Sequence, residues 1–353
     1  MKSIPPKMHT GRRSYPLRLL DDGRLLISKG RSVWVLDEHK EKRVAWYNPD
    51  FHYRIVYWFA LIRRVLRLGF HALYLIDQSR WLGILRKRLV IREPSANKFE
   101  EVHKIRNGSR PLNICLTPDN QYYYGEYFSN EDRKEVCIYG SKNGKNWENV
   151  YEFPEKTIRH IHGIFWDPYR KGIWVLTGDS DEESGLWFTD DNFRTLNLVK
   201  GGSQQFRAVS VIPKQDGLIL PTDTPLEKNY IQFYDLKKDT VIRLKEIEGS
   251  AFHAENYGDF DMVSTIIEPS SVNNTKYVCV YASNDGYNWK CIKKIKRPGF
   301  PVAFYKYLRY PEVELLPDNP VSPFVYGYCR SLKNYHGRIV YWAKEDIREC
   351  LKN

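Results

Sequence analysis

Residues 283–289 read Ser283-Asn-Asp-Gly-Tyr-Asn-Trp289, a polar turn that follows an apolar, strand-like run. Two other segments share the pattern: Ser141-Lys-Asn-Gly-Lys-Asn-Trp147 and Thr189-Asp-Asp-Asn-Phe-Arg-Thr195. Their starts, at 141, 189 and 283, lie 48 and then 94 residues apart, and 94 is twice 47. Degenerate copies fit at Tyr234-Asp-Leu-Lys-Lys-Asp239, at Pro94-Ser-Ala-Asn-Lys-Phe99, near Asp37 and near Trp342. A repeat of about 40 to 50 residues, with about four short strands in each unit, is the period of β-propeller blades. The expected fold is all-β: one β-propeller domain over residues 1–353, with seven blades and six as the alternative.

The turn resembles the Asp box, Ser-x-Asp-x-Gly-x-Thr-Trp and its variants, of the sialidase-like propeller superfamily. Ser283 to Trp289 is one residue short of the commonest form, Asn143 stands where Asp is usual, and the 189 copy lacks the Trp. The resemblance covers about residues 90 to 300. It implies that the box joins the third and fourth strands of a blade, away from the active face. The physics agrees with a structural role. Asp or Asn caps the turn through its own backbone, and Trp packs between sheets.

Composition narrows the class. Aromatic residues make up 14% of the 353, and hydrophobic residues 42%, which excludes a wholly disordered chain. The formal charge of +12 favours an anionic partner. None of the six cysteines forms a Cys-x-x-Cys pair, so Cys115, Cys137 and Cys279 read as reduced core thiols. The N-terminal stretch has no apolar signal-peptide region, and Ile55 to Ile62 is too short to span a bilayer. A soluble, cytoplasmic protein is expected.

Aligning the units on the turn places an innermost strand soon after each one. The candidate starts are Arg110-Pro-Leu-Asn, Arg159-His-Ile-His, Phe206-Arg-Ala-Val, Phe252-His-Ala-Glu and Phe70-His-Ala-Leu. Each carries Arg or His within its first two residues and then turns apolar. The loops between second and third strands reach the same rim and carry Glu126, Tyr127, Arg133, Asp179 and Asp181. Polar groups on loops of a rigid scaffold are where function collects. Catalytic candidates are therefore His160, His162, Glu126, Asp179 and Tyr127. Substrate-binding candidates are Arg110, Arg133, Arg159, Arg207, His253 and Asp181. His160 and His162 share a strand face, so their imidazoles point the same way.

Clustered arginines recognise carboxylates through paired hydrogen bonds. The sialidase-like resemblance implies an arginine triad, a Tyr nucleophile assisted by Glu, and an Asp acid, although only Arg110-Pro111 matches the family's Arg-Ile-Pro. At the level of fold the chain is also similar to propeller polysaccharide lyases. That likeness implies His, Tyr and Arg neutralising a uronate carboxylate, and in some members a metal on several His. His71, His162 and His253 come from different blades and would converge on a divalent metal, though no metal-ligand spacing marks them. The stretch from Arg110 to Trp187 resembles uncharacterised propellers associated with bacterial surface polysaccharides. The expected function is action on an acidic polysaccharide or oligosaccharide, as glycoside hydrolase or polysaccharide lyase. The alternative is a non-catalytic glycan- or protein-binding scaffold. Nucleic acid is not expected: the basic, aromatic stretches 290–297 and 305–310 read as solvated strand edges.

Residues 50–69 interrupt the repeat. At about 100° per residue, Arg63, Arg64 and Arg67 fall on one side of a helix, with Tyr57, Trp58, Leu61, Val65 and Leu68 on the other. The helix packs on a propeller face, makes a dimer contact, or lies on an anionic membrane as a peripheral tether.

Overall fold

The computed structural model describes residues 4–8, 14–37, 40–49, 68–76, 80–299 and 310–352. The expected helix over 50–69 lies outside the described residues, save Leu68 and Gly69. So does the 305–310 stretch, save Tyr310. Among the described residues, no helix is long and apolar enough to cross a membrane.

Seven four-stranded antiparallel sheets follow one another along the chain, the architecture of a seven-bladed β-propeller. Blade 1 runs from Tyr15–Leu19 to Lys40–Tyr47, and blade 2 from Ala72–Ile76 to Lys98–Lys104. Their outermost strands pair in parallel at Trp46 with Lys98 and Tyr47 with Phe99, which joins the two sheets into eight strands. Blade 3 runs from Cys115–Leu116 to Glu148–Phe153, and blade 4 from His160–Asp167 to Asn197–Gly201. Blade 5 begins at Ile212–Lys214 and blade 6 at Ala251–Asn256; they end with Thr240–Ile247 and Lys290–Lys296. Blade 7 takes three strands from the C-terminal region, Glu312–Leu315, Phe324–Arg330 and Arg338–Ala343, and its fourth from Lys7–Met8.

By compactness the chain divides into two units. One holds Leu17–Leu20 and Arg24–Gly201; the other holds Met1–Pro16, Asp21–Gly23 and Gly202–Asn353.

The three turns that set the repeat all join third to fourth strands. In each, the first hydroxyl and the third side chain organise the backbone. Ser141 Oγ accepts from Gly144 N–H (2.9 Å), and Asn143 Oδ1 from the N–H groups of Lys145 and Asn146 (2.8 and 2.9 Å). Ser283 and Asp285 repeat this with Gly286, Tyr287 and Asn288. The indoles of Trp147 and Trp289 donate to the carbonyls of Gly144 and Gly286, both at 3.0 Å. Both glycines have positive φ, 71° and 76°. Each turn also sends an aromatic into the core against the preceding blade. Trp147 packs against the cluster that holds Ile76 and Leu82 of blade 2, and Trp289 belongs to the cluster that holds Ile219 and Phe233 of blade 5. Where the 189 copy lacks Trp, Phe193 enters the core of blades 3 and 4 beside Tyr123 (ring centroids 4.9 Å).

The C-terminal helix Lys344–Lys352 was not legible as a repeat element. Acidic Glu345 and Asp346 stand in its first turn, where the helix dipole favours them. Ile347 and Leu351 bury one face in the blade 6 and 7 core. Lys290 Nζ donates to the carbonyls of Cys350 and Leu351, groups that the helix end leaves unpaired.

Candidate functional site

The inner strand of blade 4 opens at His160, directly after Arg159. His160 pairs with Gly178 and Ile161 with Thr177, but the next pair is Gly163 with Leu176. His162 is thus the extra residue of a β-bulge, a device that re-aims a side chain. Its imidazole turns towards Gly178, where a Cβ would stand 2.5 Å from Cε1 of His162. Glycine at 178 therefore gives the ring its place.

The two imidazoles converge. His160 Nε2 and His162 Nε2 are 3.1 Å apart, and Asp179 Oδ1 lies 3.6 Å from the first and 3.3 Å from the second. His160 Nδ1 lies 2.9 Å from the carbonyl oxygen of Phe128. A carbonyl only accepts, so Nδ1 carries the proton and a neutral His160 presents a bare lone pair at Nε2. Both histidines are buried.

Among the described residues, these three side chains form the one group of metal-ligating atoms within reach of one another. A cation about 2.1 Å from each donor holds neighbouring ligands about 3.0 to 3.4 Å apart, in octahedral or tetrahedral geometry. Two of the observed spacings, 3.1 and 3.3 Å, fall in that range, and the third, 3.6 Å between His160 and Asp179, exceeds it by a few tenths of an ångström. Two imidazoles and one carboxylate are also a known face for a first-row divalent metal. The sequence had grouped His162 with His71 and His253; the structure groups it with His160 and Asp179.

Asp179 follows the second strand of blade 4, Gly172–Gly178, and its loop is locked from within. Glu183, buried, accepts through Oε2 from the N–H groups of Asp179 (3.2 Å) and Ser180 (3.1 Å). Its Oε1 pairs with Arg133 Nε. Burial opposes ionisation of Asp179, but where His160 and His162 are protonated their hydrogen bonds and charges outweigh it, holding the carboxyl far below its usual range. Burial likewise opposes ionisation of Glu183, and Arg133 with the two amides reverses the shift downward.

Arg159 links the cluster to solvent. Its Nη1 donates to Asp179 Oδ2 at 3.1 Å, and its Nη2 pairs with Glu131. The Tyr127 ring lies 4.4 Å from that of His160 and 6.4 Å from that of His162. The charges of Asp179, Glu183, Glu131, Arg159 and Arg133 sum to one negative, which a cation or an imidazolium balances.

So the structure brings together Tyr127, Arg133, Arg159, His160, His162 and Asp179. Glu126 is placed otherwise. Its carboxylate accepts from the N–H and side-chain amide of Asn107 (3.2 and 3.3 Å) and from Cys137 N–H (3.0 Å), which makes it a buried cap for two backbone segments. Asp181 is exposed at the tip of the 179–184 loop, its carbonyl accepting from Ser184 N–H. Arg110 lies five residues ahead of the strand Cys115–Leu116, and Arg207 five ahead of Ile212–Lys214, so neither opens a strand.

Arg207 and His253 belong to the second unit. Arg207 Nε stands 4.0 Å from buried Asp223, whose N–H donates to the Arg207 carbonyl. His253 Nε2 lies 3.2 Å from Glu312 Oε2, and Glu312 also pairs with Arg330. Sequence reading missed Glu183, Gly178 and the Phe128 carbonyl, all of which act through this loop geometry.

No family model matches the sequence, and no curated protein does. Solved structures do resemble it. An oligogalacturonate lyase in complex with manganese aligns over 97% of this chain and 98% of its own, at 11% identity and TM-score 0.62. The GH74 xyloglucanase from Xanthomonas campestris aligns over 94% of this chain and 53% of its own (12%, TM-score 0.57). A chain of a mitotic checkpoint complex aligns over 97% of both (9%, TM-score 0.55). At such identities the likeness establishes the β-propeller fold, which these proteins share across different tasks.

Proposed function

We propose that the protein is a carbohydrate-active enzyme acting on an acidic glycan, with His160, His162 and Asp179 holding a divalent cation. The observation that carries this reading is the spacing of the three donors beside a part-exposed arginine. The manganese-bound oligogalacturonate lyase among the structural neighbours supports the same chemistry. A cation at the triad would supply positive charge against the anion that develops when a uronate loses its C5 proton.

The chain's own residues do the remainder. Arg159 takes the substrate carboxylate, as a guanidinium does through paired N–H donors. Phe128, through its carbonyl, keeps the His160 lone pair turned to the triad. Tyr127 stands outside the triad and beside His160, and it is the group we assign to removing the proton. Tyr127 acts as its phenolate; the electron pair of that C–H bond becomes the C4–C5 double bond, the C4–O4 bond breaks, and the leaving O4 takes the proton that Tyr127 has gained, which restores the phenolate. Elimination is favoured over hydrolysis for a specific reason. A glycosidase needs a second free carboxylate about 5 to 9.5 Å from the first; Glu126 and Glu183 are spent on backbone amides, and Glu131 is engaged by Arg159.

The test combines manganese titration with an assay on uronate-containing glycans. The protein should bind manganese with a stoichiometry near one and release products bearing the ultraviolet absorbance of an unsaturated uronate. His160→Ala should lose both. Activity that survives chelation and His160→Ala, or new reducing ends without that absorbance, would overturn the reading.

A further inference from the structure

We infer that the carboxylate of Glu131 is an internal stand-in for the substrate's carboxylate, seated in a subsite made by Arg159 and Arg133. This deepens the proposed function and rests on it for the identity of the ligand. Glu131 lies in the loop between the second and third strands of blade 3, Tyr122–Gly125 and Val136–Ser141. One of its oxygens pairs with Arg159 Nη2, and the other is 4.0 Å from Arg133 Nη1.

Both arginines are held from beneath by buried or part-buried carboxylates. Asp179 fixes Arg159, and Glu183 fixes Arg133. Their outer nitrogens meet Glu131. Exposure separates the two kinds of partner: the Glu183 side chain is 8% exposed and that of Asp179 21%, against 73% for Glu131. An exposed ion pair contributes little, so an incoming carboxylate with further contacts of its own displaces it. Exchange of one carboxylate for another also leaves the charge of the arginine pair matched, with no new buried charge.

The loop is built so that the exchange needs only a side-chain rotation. Asn130 Nδ2 donates to the Lys134 carbonyl, and Asn130 Oδ1 accepts from Lys134 N–H. Arg133 N–H donates to the Asn130 carbonyl, and Arg133 Nη1 to the Glu131 carbonyl at 2.9 Å. The backbone is clamped on both sides of Glu131 while its carboxylate stands in water. Tyr127, four residues earlier, offers a ring face for a sugar next to the same subsite.

The experiment compares the native protein with Glu131→Gln, a surface change that should leave the fold intact. Acetate, D-glucuronate and D-glucose are titrated, with binding followed by ligand-observed NMR. Loss of the internal carboxylate should tighten acetate and glucuronate by about fivefold, the scale of an exposed ion pair, and leave glucose unchanged. Tightening of both anions with glucuronate no better than acetate would uphold the stand-in and count against the acidic-glycan reading. Equal glucuronate affinity in the two proteins, above that of acetate, would overturn the stand-in and keep that reading. Failure of either anion to bind either protein would overturn the stand-in as well.

Discussion

The most constrained residue of the candidate site is His162. It is buried, it is the extra residue of a bulge, and its ring fills the space that a side chain at 178 would need. Gly178→Ala tests this without touching a ligand. The added methyl should push the imidazole from its position and weaken manganese binding by about 10- to 100-fold, as loss of a supporting contact does at metal sites. The melting temperature should move little. Unchanged manganese affinity in that variant would show that the ring tolerates displacement. The i, i+2 spacing of the two histidines was legible because it depends only on strand geometry. Their partners were legible only in part: Asp179 stood among the rim candidates, but its distance from the rings and the role of the Phe128 carbonyl did not show. The Phe128 carbonyl and the Asp179 loop come from other strands, and only the fold brings them near. Carboxylates mislead a sequence reading for a related reason. Glu126, Asp179 and Glu183 look alike on paper, yet two of them turn inward to backbone amides and one faces the histidines.

At the scale of the element, the repeated turn is the best-read part of the chain. Its hydrogen bonds span four residues or fewer, so residue chemistry alone specifies it. Even its defect was repaired locally, with Phe193 taking over the wedge position where Trp is missing. The inner strands were read less well. Arg110 and Arg207 were placed at strand starts, but the pairing that defines a strand begins five residues later, and pairing is not a local property. The turn also makes a titration prediction. Partial burial opposes ionisation of Asp285, but the N–H groups of Asn288 and Tyr287, the Asn288 amide and the Ser283 hydroxyl bring its carboxyl down from 3.8 to about 2. A folded-state value below the unfolded one gives stability that is present above about pH 4 and lost as pH falls towards 2. Asp285→Asn should therefore melt below the native protein near neutral pH, and the gap should close between about pH 4 and 2. A gap that stays constant across that range would assign the turn's stability to shape alone.

For the molecule as a whole, the blade count followed from the period, and the one surprise was how the last blade is completed. The sequence placed a further turn near Trp342, but the strand Arg338–Ala343 runs straight into the helix Lys344–Lys352. Lys7 and Met8 supply the missing strand, pairing with Tyr341 and Val340. Ile4 adds a bond from its N–H to the Ile292 carbonyl, and its own carbonyl accepts from the Trp342 indole. Nothing in a local reading of a two-residue strand reveals such a partner. Removing residues 1–8 should lower the melting temperature by about 5 °C or more, and it should promote aggregation through the bared edge of Arg338–Ala343. A truncated protein that melts and stays monomeric like the native one would make the added strand dispensable.

That completing strand also sets a timetable. Ile4 and Trp342 are 338 residues apart, so during synthesis the strand Lys7–Met8 waits for the blade it completes. At about 5 to 20 residues per second the wait is roughly 17 to 70 seconds. Throughout it, Lys7 and Met8 have no native partner, while six blades have already left the ribosome. The rate of acquiring the final structure is thus tied to a loop closure over nearly the whole chain, among the slowest kinds of contact a protein forms. Anything that shields or captures the N-terminal segment in that interval would decide the yield of folded protein, with no change to the finished molecule.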